Sequence, residues 1–466
     1  MSGVNENINL STNKFILIII LTTIIANVSW NYLINVYKYT DVCQSKWVSQ
    51  RLKNNLFYCN RERGILARNI KNDNNKNNNN NNDFPFMGTQ IMEVGRYSNL
   101  RDEFSYQPLI KPDDEFKFSE HEAKAVLIAS KNSRQKGNFK KAQAIIENAL
   151  SKSPFHTDIL MEYGIILEKE ETGIIQADSI YTKVLNYNPY HSEALIRRQR
   201  TLPIVQEHDN KIMKALYDKR DDFFNIRKNM AAFRRALKES YFQHVYHTVA
   251  LEGNTMDYVQ TRTFLETGRV VGGKSIFEHN EILGLDAALR FLNQSKIQLG
   301  EIGLDEILQI HYKVMAYVDP ESAGKLRRIQ VYVGGFTPPA PQYIVSEMKN
   351  FVEWLNDYDT LQMDPVELAA IAHYKLVFIH PFVDGNGRTA RLLMNLILSR
   401  SGFPPIIIPL EERLNYYKTL KEANDGDLRP FIRFIVQQTD KTLQYFIDTT
   451  TANLENEDRN NAQLIH

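Results

Sequence analysis

The chain has 466 residues, 43% hydrophobic and 24% charged, and its 56 Lys and Arg against 55 Asp and Glu leave a formal net charge of +1. That length allows two or three domains at a typical ~150 residues each. The near-neutral balance speaks against a nucleic-acid partner, whose phosphates would call for a basic excess.

After a short tail (1–14), Phe15 to Tyr37 carries no charged residue, and its first half is nearly all Ile and Leu. A bilayer span needs ~20 apolar residues, so 15–37 is expected to be a transmembrane signal-anchor helix, with Trp30, Tyr32, Tyr37 and Tyr39 as interfacial anchors. Asn27, Asn31 and Asn35 lay a polar stripe on its second half, and a cleaved signal peptide or a buried soluble helix are the alternatives. Lys38, Lys46, Arg51 and Lys53 downstream outnumber the charges upstream, which by the positive-inside rule would leave the body in the cytosol. The linker 38–119 holds Cys43 and Cys59, either one small disulfide loop or two free thiols, and neither has metal-site company. It also holds Lys71 to Asp83, nearly all Asn, a low-complexity spacer that cannot bury enough apolar surface to fold.

From Glu120 the pattern becomes helical and self-similar. Ala142 aligns with Ala177 and Pro154 with Pro189, an interval of 35 residues, close to the ~34-residue tetratricopeptide period. Two such repeats are expected over 120–190. Because two are fewer than the three or so needed for independent stability, the charged helical stretch that follows (connecting helix, 191–220) is expected to cap them. The repeats either space the rest of the chain from the membrane or dock a partner protein.

Phe223 to Leu251 reads as one long helix. At its end Thr248 and Glu252, four residues apart, share a face, and Gly253, followed by Asn254, supplies the usual stop. Further on, Leu326 to Gln342 contains the β-type run Gln330-Val331-Tyr332-Val333-Gly334-Gly335 and then Thr337-Pro338-Pro339. Glu367 to Phe378 reads as a helix, with His373 as a packed or surface histidine. Tyr416, Tyr417, Glu422 and Asn424 lie on a later helix.

The densest chemistry is in His380 to Arg391, HPFVDGNGRTAR. An apolar run precedes it, and strong helix formers follow until Gly402 and Pro404, so the glycines sit where a loop enters a helix. There the first-turn N–H groups lack intrahelical partners and the dipole's positive end points outward, which draws an anion. Gly385 and Gly387 let the backbone curl around a phosphate. His380 can accept a proton near neutral pH, Asp384 can hold a hard cation, and Arg388 and Arg391, three apart, can fork onto phosphates from one face.

The string resembles the signature HPFx(D/E)GNGRxxR of the Fic family, whose members transfer AMP, less often other phosphate-containing groups, to protein hydroxyls. The resemblance implies an all-α fold: tetratricopeptide helical repeats, then a Fic-type helical bundle (221–450) with a small β-hairpin flap, preceded by one transmembrane helix and followed by a tail (451–466). It implies His380 as general base, and Asp384 as the ligand of Mg2+, for which Mn2+ can substitute. Gly385, Asn386, Gly387, Arg388 and Arg391 would bind the phosphates of ATP, and Asn424 its adenine. Thr248-Glu252-Gly253-Asn254 is similar to the family's inhibitory motif (S/T)xxxE(G/N), whose glutamate pairs with the second arginine, here Arg391. Val331, Tyr332 and Val333 resemble the flap that pairs with a target's main chain.

Proteins with an anchor, helical repeats and a Fic module resemble the metazoan-type enzyme of the endoplasmic reticulum. This implies a lumenal body, an Hsp70-type chaperone of the BiP kind as target, removal of AMP as well as its transfer, and pairing of two copies through the Fic module. Asn293-Gln294-Ser295 would be a glycosylation acceptor in that compartment. The alternatives are an enzyme that chiefly removes AMP at rest, or a repeat scaffold with a silent Fic module.

Overall fold

The computed structural model describes residues 119–170, 173–226 and 231–463. Segment 15–37, both cysteines and the Asn-rich tract lie outside them. Among the described residues no helix is long and apolar enough to cross a membrane. The longest, Ser192–Asn225 and Arg429–Gln463, carry charges along their whole length. The single-pass membrane assignment, and the endoplasmic-reticulum placement that rested on it, is therefore withdrawn.

Fifteen α-helices make up the described chain. The first four are α1 (Glu120–Gln135), α2 (Phe139–Lys152), α3 (Thr157–Leu167) and α4 (Ile174–Tyr187), two antiparallel hairpins. Ser119 and Glu122 form a capping box that satisfies orphan N–H groups at the start of α1. Ala142 and Ala177 are fully buried at the helix crossings, where a larger side chain would hold the pairs apart. α5 (Ser192–Asn225) then runs along α15 (Arg429–Gln463). Buried Arg429 bonds Asp178 of α4 at 2.5 Å and Asp427 at 2.8 Å, and Arg433 reaches Asp209 of α5 at 2.7 Å. Paired in this way, charges at the joint avoid the cost of unpaired burial and fix the hairpins to the body.

The expected single helix from 223 to 251 is two helices. α5 stops at Asn225, where Ile226 turns to extended backbone (φ −65°, ψ 129°). α6 begins anew at Ala231 and runs to Leu251. The remaining elements are α7 (Tyr258–Thr267), α8 (Ile276–Gln294), α9 (Leu304–Met315), α10 (Ile344–Asn356), the single turn α11 (Tyr358–Leu361), α12 (Pro365–Ile379), α13 (Asn386–Arg400) and α14 (Arg413–Asn424).

At the centre lie α12 and α13. α12 starts on Asp364, whose carboxylate caps Val366 and Glu367 while Pro365 fills the first helical position. Its Ala369, Ala370 and Ala372 are fully buried, and small side chains let α13 approach closely. α13 is buried from Arg388 to Leu398, the signature of a helix packed on all sides. One continuous core from α6, α8, α9, α10, α14 and α15 surrounds this pair.

The predicted β-hairpin flap is corrected as well. Among the described residues there are no strands, only one antiparallel bridge between Val333 and Phe336. Gly334 and Gly335, both at positive φ (51° and 85°), close a two-residue turn. Pro338 and Pro339, with no N–H to donate, end the ladder after that one pair.

Candidate active site

His380 ends α12 and takes a left-handed conformation, φ 50°, unlike any other non-glycine among the described residues. That conformation costs on the order of 1–2 kcal/mol for a residue with a Cβ and must be imposed by its surroundings. Its carbonyl accepts from Arg327 Nε at 2.7 Å, and its amide is held by Leu376 O at 3.0 Å. The ring Nδ1 stands 3.1 Å from Val377 O, a bond that requires the proton on Nδ1 and leaves the Nε2 lone pair free. Burial pushes its pKa below the usual 6.5, so the ring is neutral and ready to accept a proton at pH 7.

The loop 381–385 is fixed from both sides. Asn386 accepts from Phe382 N and donates to Phe382 O, each at 3.0 Å. This expected phosphate ligand thus spends its side chain on the loop and leaves only its main chain for a ligand. His311 of α9 stacks on Phe382 at 3.6 Å and bonds Asp384 O at 2.9 Å. Gly385, at φ 75°, begins α13, where a Cβ would stand 2.9 Å from Met315 Sδ.

Asp384 points outward, its side chain 59% exposed and 2.8 Å from Arg388 Nη2. Among the described residues no group of three or more His, Cys, Asp or Glu could hold a metal by itself. One exposed carboxylate beside a phosphate cradle fits magnesium, which usually takes one or two protein carboxylates and completes its shell with phosphate oxygens and water.

Both arginines are buried, each 2% exposed. Arg388 pairs with Glu281 of α8 at 3.2 Å as well as with Asp384. Arg391 Nη2 donates to Glu252 Oε1 at 2.5 Å and to Thr248 O at 3.1 Å, and its Nη1 lies 3.5 Å from Tyr416 Oη. Burial alone would lower the pKa of Arg391, but the neighbouring Glu252 charge raises it overall. The buried Nε of each arginine has no partner among the described residues, the kind of orphan that a phosphate oxygen would satisfy.

Glu252 therefore lies on the first turn of α13, against Arg391. A Cβ on Gly387 would lie 2.5 Å from its Oε1, so the glycine is what lets a carboxylate rest on the first turn of α13. Gly253, at φ 105°, ends α6 and turns the chain there. Asn254 is buried and donates to Glu281 Oε2 at 2.9 Å. Thr248 enters through its carbonyl, one turn before Glu252.

Of the flap residues, Tyr332 is 76% exposed and Val331 and Val333 are half-buried. Arg327 ties them to the site, donating to Ile329 O and Pro339 O as well as to His380 O. Asn424 stands half-buried at the end of α14. His373 is a packed core residue, its Nε2 3.0 Å from Tyr416 Oη and its pKa pulled down to about 3 by burial. Sequence reasoning missed Glu281, Arg327 and His311, and placed Tyr416 on a helix without its contact to Arg391. Nothing in their local strings marks them, because their partners are far away along the chain.

This all-helical body, with His380 closing α12 and two buried arginines in the first turns of α13, has the Fic fold. Residues 301–398 match the Fic/DOC family. The chain is 48% identical over 338 residues to protein adenylyltransferase fic-1 of Caenorhabditis elegans, a match covering 72% of this chain and 66% of that protein. Its counterpart in Caenorhabditis briggsae matches at 48%, covering 72% and 67%. Protein adenylyltransferase Fic of Drosophila erecta matches at 50%, covering 68% and 64%. The chain thus spans about two thirds of the length of these relatives. A solved structure of C. elegans Fic-1 superposes with a TM-score of 0.66 at 48% identity, covering 71% of this chain and 99% of that one. The chain belongs to the Fic/DOC family.

Proposed function

We propose that the protein transfers AMP from ATP to a hydroxyl side chain of a target protein, and that Glu252 holds it silent at rest. The observation that carries this reading is Glu252 on Arg391 at 2.5 Å, a carboxylate of the chain itself resting where the α13 entrance calls for phosphate. The kinship with proteins named adenylyltransferases supports the same chemistry.

In the reaction, the target hydroxyl oxygen attacks the α-phosphorus, the bond from that phosphorus to the bridging oxygen breaks, and pyrophosphate leaves. The hydroxyl proton passes to His380 Nε2. Arg388, Arg391 and the first amides of α13 stabilise the charge that grows on the phosphate oxygens. Magnesium held by Asp384 would supply charge neutralisation on those oxygens. The flap's open edge lays the target's main chain beside His380. Asn424 contacts the adenine, and the hairpins 120–190, read as tetratricopeptide repeats, dock the target, an Hsp70-type chaperone. Two copies pair through the Fic module.

Removal of AMP uses the same site. Glu252, its side chain 28% exposed, takes a proton from a water whose oxygen bonds the phosphorus, the bond from phosphorus to the target oxygen breaks, and that oxygen takes the Nε2 proton of the His380 fraction that is in the imidazolium form. The closed Glu252–Arg391 contact favours this direction at rest.

Incubation of the Glu252→Gly protein with α-labelled and with γ-labelled ATP, with and without the chaperone, tests the reading. Label on protein from the α position alone, lost in His380→Ala, is expected. Transfer of the γ label instead would overturn it.

A further inference from the structure

Glu281 is a buried carboxylate that the reaction above leaves unused. It is 6% exposed on α8, and its two oxygens serve different partners. Oε1 accepts from Arg388 Nη1 at 3.2 Å, and Oε2 accepts from Asn254 Nδ2 at 2.9 Å. Such a group is costly to bury and stays only where both oxygens are engaged.

Each partner belongs to a different working part. Arg388 is a phosphate arm, and its other bond goes to the exposed Asp384. Asn254 lies two residues beyond Glu252 and is itself tightly held: its Nδ2 also reaches Glu278 O at 3.0 Å, and its Oδ1 accepts from Met256 N at 3.0 Å. Asn254 thus pins the 252–256 turn onto α8, and α8 is pinned to α13 through Glu281. The distance between the Glu252 carboxylate and Arg391 is set across this strut, because α6 ends at Leu251 and only Gly253 separates Glu252 from Asn254.

We propose that Glu281 is a positioning residue with two tasks: it holds Arg388 in the cradle, and through Asn254 it sets the Glu252 turn against Arg391. One side chain then links competence for transfer to the firmness of the closed state. This rests on the reading that the site transfers AMP and that Glu252 closes it.

The test uses α-labelled ATP with the full chain in two backgrounds, unaltered and Glu252→Gly. In the Glu252→Gly background, Glu281→Gln is expected to lower kcat about tenfold or more and to move KM for ATP less than about threefold, because Arg388 then loses its orientation for the transition state. Asn254→Ala is expected to raise transfer about threefold or more in the unaltered protein and to give no rise in the Glu252→Gly protein, since a grip already absent cannot be loosened. The first result separates positioning from mere support of the fold. The second does not depend on whether Glu281→Gln folds.

A kcat for Glu281→Gln within twofold of its parent would overturn the proposal. So would an Asn254→Ala effect of equal size in both backgrounds. A Glu252→Gly protein that transfers nothing would instead remove the reaction itself, and with it this role.

Discussion

The phosphate cradle and the flap both adjoin His380 and are built in opposite ways. In the cradle Arg388, Arg391 and Asn386 are buried and held: Arg388 between Glu281 and Asp384, Arg391 between Glu252 and the Thr248 carbonyl, Asn386 on Phe382. The flap holds a single backbone bridge and an exposed Tyr332. Donors that stabilise developing charge must be in place before the reaction, so they are locked by partners. A surface that accepts another backbone needs unspent N–H and C=O groups, and the flap has no ladder of its own beyond that one bridge.

The largest way to break this comparison is at the base. His380→Ala should lower AMP transfer about 10³-fold, within the range for loss of a general base, without loss of ATP binding in a nucleotide titration. Survival of transfer would mean that the proton goes elsewhere.

Next comes the rigidity of the cradle. Gly385→Ala forces a side chain into positive φ and against Met315 Sδ at 2.9 Å. Denaturant unfolding should show a loss of about 1–2 kcal/mol. No loss would mean that the loop before α13 relaxes freely.

Val333→Pro removes the N–H that bonds Phe336 O at 2.9 Å. Target modification should slow by about three- to tenfold, the worth of one ordinary hydrogen bond, while breakdown of ATP in the absence of target is unchanged. Equal losses in both assays would place the flap in the chemistry rather than in recognition.

The smallest effect concerns pH. Burial lowers the His380 pKa from 6.5, so the neutral, proton-accepting ring should persist below that value. The acid limb of kcat for Glu252→Gly should therefore fall below pH 6.5, and a limb above it would contradict the lowering of the His380 pKa by burial.

How much was legible follows from distance along the chain. His380 to Arg391 is one loop and one helix turn, so spacing alone put the glycines at the helix entry and the arginines on one face. Of the helices around it, the ones over 367–378 and 416–424 were read from composition, whereas α7 to α10 were not. Glu281 meets Arg388 across 107 residues, and nothing near Glu281 sets it apart from a surface acid. The Val-Tyr-Val run has strand propensity, yet Gly334-Gly335 and the two prolines leave room for one bridge. The helical composition runs on past Asn225, yet Ile226 already turns to extended backbone and closes the helix. The membrane reading rested on a stretch outside the described residues, and no described helix supplies a span.

The central claim is that Glu252 occupies the place of a nucleotide phosphate. Its direct measure is the initial rate of AMP transfer from α-labelled ATP by the unaltered protein and by Glu252→Gly. Freeing Arg391 from a charge-assisted bond worth about 1.5–3 kcal/mol should raise the rate by about 10- to 100-fold. An equal or lower rate would contradict the account, for the carboxylate would then be no obstacle to ATP.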